Sequence, residues 1–229
     1  MSPIAANLQA VRRRISEALQ EDRRTVKLVA VSKSQSPEAI RAAFAAGCRD
    51  FGENYVQDAL PKLAAVADLP ITWHFIGHLQ SNKARDVAEH FDWVHAVDRL
   101  RIAQALSRAR LADRGPLNVC IQVNISREAT KGGVTPGDAG TLAREVAALP
   151  NLALRGLMGM ASPTEDGARQ RAEFGELRGV FEALVAEGHA LDTLSMGMSQ
   201  DLESALAEGA TMVRVGTAIF GERDRKRAA

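Results

Sequence analysis

Three short segments carry groups whose chemistry belongs together. Lys33 follows the apolar run Leu28-Val29-Ala30-Val31-Ser32, and Ser199 closes Ser195-Met196-Gly197-Met198-Ser199. Arg214, Gly216 and Thr217 lie in Met212-Val213-Arg214-Val215-Gly216-Thr217. A neutral lysine amine adds to a carbonyl carbon, and water leaves as an imine forms. Desolvation beside an apolar rim favours the neutral amine of Lys33, whereas a neighbouring phosphate opposes it. The Ser199 hydroxyl and the backbone N–H groups of Gly216 and Thr217 are donors for anionic oxygens, which the bare glycine lets approach closely. Arg214, two residues before Gly216, shares its inward strand face and needs an acceptor if it is buried. Taken singly, each residue has a plainer role: a solvated lysine, a helix cap, a turn glycine and half of a structural ion pair. Together they suit one ligand, a phosphorylated aldehyde.

These groups meet only if their strands end at the same place. Strand-like runs occur at Val26–Ser32, Arg49–Phe51, Thr72–Ile76, Trp93–Ala96, Asn118–Asn124, Ala153–Met158, Asp192–Met196 and Thr211–Val215. Helical periodicity fills the gaps. Ser36-Pro37 opens a helix with Ile40, Ala43 and Phe44 as its buried stripe, and Gly47 ends it. Thr135-Pro136-Gly137-Asp138 opens another, striped by Leu142, Val146 and Leu149 and stopped by Pro150. Phe174, Leu177, Phe181 and Leu184 stripe a longer one that Gly188 closes, and a short one runs from about Ser199 to Gly209. An extra helix, about Ile4 to Glu21, precedes the first strand.

Eight such strand–helix repeats, without a Pro/Ser-rich linker or a shift in composition, predict a single (β/α)8 TIM barrel with an extra N-terminal helix, one domain over 1–229. The alternative is an open doubly wound sheet, but Val31-Ser32-Lys33-Ser34-Gln35 holds none of the glycines that a dinucleotide turn requires. In a barrel, reactive groups lie at the C-terminal strand ends, and phosphate commonly binds after strands seven and eight. Ser199 and Gly216-Thr217 occupy those places.

With 229 residues, 46% of them hydrophobic, the chain is long enough to bury such a core. A net charge of +1 gives no bulk attraction to nucleic acid or to a membrane, and the runs Arg12–Arg14 and Arg223–Arg227 read as a solvated helix face and a loose terminus. No segment approaches the ~18 apolar residues of a membrane span, and the start lacks the apolar centre of a signal peptide, so a cytoplasmic location is expected. Cys48 and Cys120 fit no disulfide or zinc pattern; they read as a helix-end residue and a strand-core residue. The five histidines show no metal spacing, and His74 and His78 read as strand-end and loop packing.

The order and spacing of AVSKSQ around Lys33, FGENYVQ from Phe51, WHFIGHLQSNK from Trp73, HFDWVHAVDR from His90, NVCIQVNIS, LRGLMGM, LSMGMSQDLESA and MVRVGTAIFG span nearly the whole chain. In these the chain resembles the pyridoxal phosphate homeostasis protein family, whose fold is similar to the barrel of alanine racemase. The resemblance implies that Lys33 holds pyridoxal 5′-phosphate as an internal aldimine. It implies too that Ser199, Gly216 and Thr217 bind the phosphate and that Arg214 meets the pyridine nitrogen. Asn54 is expected beside the ring or Lys33. One departure is Gly77-His78-Leu79-Gln80, where the family pattern has proline at the position of His78, a loss of turn rigidity away from the expected contacts.

The same resemblance implies a non-enzymatic carrier with no catalytic residues, acting as a monomer that keeps pyridoxal 5′-phosphate available and delivers it to apoenzymes. Racemisation needs acid and base groups on both faces of the cofactor, and alanine racemase takes a tyrosine for this from a second domain. Here the chain ends after the barrel, and Tyr55, its only tyrosine, reads as packing at a helix start. An arginine at the ring nitrogen donates a hydrogen bond to the unprotonated pyridine, which leaves the ring a weak electron sink. The alternatives are an amino-acid racemase or decarboxylase using the same lysine, and an aldolase-like barrel acting on a phosphorylated sugar without the cofactor. Lys131, in Lys131-Gly132-Gly133, reads as a solvated loop lysine with a second amine as its other reading. Met158, Met160, Met196, Met198 and Met212 read as barrel filling, with Met158 or Met198 able to touch the ring. Glu53 is a possible partner of Lys33 or Arg214.

Overall fold

The computed structural model describes residues 2–20, 22–128 and 130–221. Glu21, where the first helix was expected to end, and the basic run Arg223–Arg227 lie outside them. Helix α1 (Pro3–Leu19) begins with the Ser2 hydroxyl accepting from the Ala5 N–H and with proline in its first turn, where a missing N–H costs nothing. The eight strands are β1 (Lys27–Val31), β2 (Asp50–Glu53), β3 (Thr72–Phe75), β4 (Trp93–Val97), β5 (Leu117–Val123), β6 (Leu152–Gly159), β7 (Thr193–Ser195) and β8 (Met212–Val215). Helices α2 (Pro37–Ala45), α3 (Val56–Ala65), α4 (Ala84–His90), α5 (Leu100–Ala109), α6 (Ala139–Ala147), α7 (Gly167–Ala186), α8 (Leu202–Ala207) and α9 (Thr217–Phe220) follow them in turn.

All neighbouring strands pair in parallel, and β1 pairs with both β2 and β8, Val29 matching Asp50 on one side and Arg214 on the other. That double pairing closes the sheet and replaces the open doubly wound alternative with a barrel. Two apolar layers result. Inside the ring lie Val29, Trp93, Ala96, Cys120, Met158 and Met212. Between ring and helices lies the larger layer, with Phe51, Phe75, Ile102, Phe174 and Leu206 among its fully buried side chains. Such two-sided burial explains why β5 reads as an apolar run instead of an alternation.

Helix boundaries follow local chemistry. Ser36 caps α2, its hydroxyl accepting from the Ala39 N–H, and Gly47 leaves it at φ 89°, a region that disfavours a side chain. The Thr135 hydroxyl donates to the Asp138 carboxylate within a turn, so α6 starts only at Ala139, later than the capping pattern suggested. Arg12 and Arg13 are exposed, as on a solvated face, but Arg12 and Arg14 also hold protein partners. Arg12 donates to the carbonyls of Ala46 and Gly47, and Arg14 to the carbonyl of Ser199 and the carboxylate of Glu203. Cys48 and Cys120 are buried and unpaired with each other, and burial pushes the Cys120 thiol up to about 12. Among the described residues no helix is long and apolar enough to cross a membrane.

Candidate functional site

A cavity of about 650 Å³ opens at the C-terminal ends of the strands. It is lined by all six residues expected at a ligand, Lys33, Asn54, Ser199, Arg214, Gly216 and Thr217. Parallel strands bring them together, because residues that follow β1, β2, β7 and β8 emerge on the same rim.

Each position has a local cause. β1 stops at Val31, and Ser34 takes a left-handed φ of 62°, turning the chain over the mouth. The carbonyl of Ser32 is held from two sides, by the Gln35 N–H at 2.9 Å and by the Lys62 ammonium at 2.9 Å. Lys62 also meets both oxygens of Glu53 at 2.9 and 3.0 Å, and the Ser32 hydroxyl donates to Glu53 at 2.6 Å. Glu53 therefore partners Lys62 and Ser32, not Lys33 or Arg214. Its burial pushes the carboxyl up against the pull of Lys62. This compact cluster fixes the backbone immediately before Lys33.

The loop after β7 is shaped in the same way. Gly197 sits at φ 93°, and a Cβ there would stand 2.6 Å from that of Ala205. The Asp201 carboxylate accepts the Met198 N–H, Arg14 holds the Ser199 carbonyl at 3.1 Å, and the Ser199 hydroxyl accepts a 3.4 Å contact from the Ala218 N–H. Ser199 keeps its hydroxyl hydrogen for another acceptor. A Cβ on Gly216 would come 3.3 Å from the Val31 carbonyl oxygen, so the glycine lets β8 lie close against the end of β1.

Two polar groups point to a missing partner. Asn54 Oδ1 is buried without a hydrogen bond, an uncommon state for an amide oxygen in a folded protein. Arg214 is 4% exposed, yet its bonds go to the Ser195 hydroxyl at 2.7 Å and the Gly159 carbonyl at 3.1 Å. Among the described residues no carboxylate pairs with it, so the plain ion-pair reading fails. Burial pushes its guanidinium down to about 10, with the charge of Asp201 resisting, so it remains a cation at neutral pH. An aromatic aldehyde with a phosphate at one end and a ring nitrogen at the other suits these donors and this orphaned acceptor.

The sequence reading missed the polar chain beneath Arg214. His74 does pack near the end of β3, stacked on Trp93, but it is also a member of that chain. It is fully buried, bridging Asp50 at 2.9 Å and His95 at 3.0 Å, while His95 reaches Ser195 at 2.8 Å. The available signal was a histidine on each of two successive strands, at positions that should have been apolar. His78 is 59% exposed beside Asp98 and does behave as a loop residue. Tyr55, 61% exposed, does not pack as expected. Lys131 is not solvated; it lines the cavity, donating to the Ala161 carbonyl at 2.9 Å and pairing with Glu128 at 3.0 Å. Met158 is buried inside the ring, and Met160 and Met198 line the cavity. Among the described residues no cluster of metal-ligating side chains exists.

Residues 3–224 match the family model described as alanine racemase, N-terminal domain. A pyridoxal phosphate homeostasis protein from Pseudomonas aeruginosa is 58% identical over 98% of this chain and 97% of its own. One from Escherichia coli K12 is 49% identical over 98% of both. The structure of PipY from Synechococcus elongatus with bound pyridoxal phosphate superposes with a TM-score of 0.84 at 40% identity, covering 95% of this chain and 100% of PipY. On full-length identity and a shared barrel, the chain belongs to the pyridoxal phosphate homeostasis protein family.

Proposed function

We propose that this protein is a non-enzymatic carrier that binds pyridoxal 5′-phosphate as an imine on Lys33, takes part in cofactor homeostasis and passes the cofactor to apoenzymes. The observation that carries this reading is the convergence in one cavity of a lysine, a buried arginine that no carboxylate among the described residues pairs with, and the donors of Ser199, Gly216 and Thr217. The relatives' names and the cofactor bound to PipY support it. The cofactor contributes an electrophilic aldehyde, which condenses with an amine as a C=N bond forms and water leaves.

This chain's residues do the rest. Lys33 supplies the amine from a backbone braced by Lys62 and Glu53. The Ser199 hydroxyl and the N–H groups of Gly216 and Thr217 hold the phosphate, Arg214 donates to the ring nitrogen, and Asn54 Oδ1 accepts from a protonated group beside the lysine. Because Arg214 is a donor and stays protonated, it does not hold a proton on the ring nitrogen, which keeps carbanion chemistry slow while imine exchange remains open. That combination favours carrying over racemisation.

The test is the absorbance spectrum of protein incubated with the cofactor, before and after borohydride, with the modified peptide mapped by mass. Wild type gains an imine band and a label at Lys33; Lys33→Ala gains neither. A label chiefly on Lys131 or Lys83 overturns the assignment. Retention of α-deuterium by bound amino acids separates the carrier from a racemase.

A further inference from the structure

The barrel interior holds five polar residues in one line. Arg214 on β8 donates to the Ser195 hydroxyl on β7 at 2.7 Å, and Ser195 lies 2.8 Å from His95 Nδ1 on β4. His95 Nε2 is 3.0 Å from His74 Nδ1 on β3, and His74 Nε2 is 2.9 Å from Asp50 Oδ1 at the start of β2. Ser195, His95 and His74 are fully buried.

With both buried rings neutral, chemistry fixes the direction of every bond. Asp50 also pairs with Lys27 at 3.2 Å, and it is held as a carboxylate below the usual range because His74 and Lys27 outweigh its partial burial. A carboxylate only accepts, so the proton on His74 sits on Nε2 and Nδ1 becomes the acceptor. His95 must then donate from Nε2, leaving its Nδ1 to accept from the Ser195 hydroxyl. With that hydrogen used, the Ser195 oxygen offers lone pairs, which a guanidinium alone can approach as a donor. Each imidazole gives one proton and takes one, so all sites in the line are satisfied with both rings neutral. A proton added to His74 Nδ1 would face the Nε2–H of His95 and force the line to reverse.

We propose that Ser195, His95, His74 and Asp50 are positioning residues for Arg214, a one-way hydrogen-bond chain that fixes the guanidinium as a donor into the cavity and ends on a carboxylate four side chains away. A carboxylate directly on Arg214 would occupy its N–H groups and cancel its charge. A hydroxyl on one side and the Gly159 carbonyl on the other hold its plane while leaving further N–H bonds for a ligand. The inference rests on the reading that Arg214 faces the cofactor's ring nitrogen, and it adds the device that aims it.

Ring-nitrogen NMR of the uniformly ¹⁵N-labelled protein without cofactor tests the chain alone. Both His74 and His95 should carry hydrogen on Nε2 and an accepting Nδ1 at neutral pH. A proton on Nδ1 of His95, or an imidazolium there, overturns the proposal whatever the cofactor does. In the loaded protein, Ser195→Ala should keep the Lys33 imine band but release the cofactor about tenfold faster, and Ser195→Thr should restore slow release. Release as slow as wild type from Ser195→Ala, with fast release from Arg214→Ala, would also overturn it. No imine at Lys33 of the wild type would sink the functional reading instead and leave the ring-nitrogen result to stand by itself.

Discussion

Lys33 and Arg214 differ in how the protein prepares them. The lysine stands on a loop whose backbone is pinned, whereas the arginine is buried and held through its own guanidinium. Removing one charge-assisted bond typically costs ~1.5–3 kcal/mol, so Arg214→Ala should weaken cofactor binding about ten- to a hundredfold by fluorescence titration. Equal affinity would take Arg214 out of the site. Gly77 is a second sensitive position, because a Cβ there would lie 2.0 Å from the Asn54 carbonyl oxygen. Gly77→Ala should lower the thermal midpoint sharply, by at least ~2 kcal/mol of stability, and displace Asn54; a wild-type midpoint would contradict this. Residue types and position after a strand placed Lys33, Ser199, Arg214, Gly216 and Thr217 at one rim, where they line one cavity. Neither identified His74 and His95, because a histidine in a strand carries no local mark of what faces it across a barrel.

Among the elements, α3 contributes most to the site after the strands. It sends Lys62 beneath the β1 loop to a fully buried carboxylate, joining helix, strand and loop through one ion pair. Lys62→Met would leave Glu53 buried without a cation, a change worth ~3–5 kcal/mol in urea unfolding, and Glu53→Gln in the same chain should recover part of it. If Lys62→Met alone proves neutral, the pair is not the brace described. Helices α1 and α8 act by a lighter contact, Arg14 reaching across to the Ser199 carbonyl and Glu203. These helices were legible from capping residues and apolar stripes. The use of Arg12 and Arg14 was not, since a basic run on a helix looks the same whether it meets water or the carbonyls of a neighbouring loop.

For the molecule as a whole, the polar line through the ring sets a pH limit. Burial holds His74 below 6.5 and His95 well below it, with Lys27 and Arg214 pushing in the same direction and Asp50 and Asp92 opposing at His74. Below pH 6.5 the unfolded chain binds protons that the folded rings refuse. Unfolded minus folded proton uptake is then positive, so stability rises with pH across this window and is lost as pH falls. The thermal midpoint should decline from pH 6.5 toward about 5, and a level midpoint over that range would contradict neutral buried rings. The barrel also explains why five strands can share one hydrogen-bonded line: a closed ring faces all its strands inward, which an open sheet does not.

Sequence alone determined the alternation of strands and helices, the barrel class and the residues that rim its mouth, because periodicity, caps and position after a strand are local properties that chain order preserves. Tertiary structure alone decided that Glu53 belongs to Lys62, that no carboxylate among the described residues pairs with Arg214 and that Asp50, His74, His95 and Ser195 form a line. Those pairings join residues on different strands, and strand register with the inward tilt of a closed sheet, not spacing along the chain, sets which side chains come within hydrogen-bond reach.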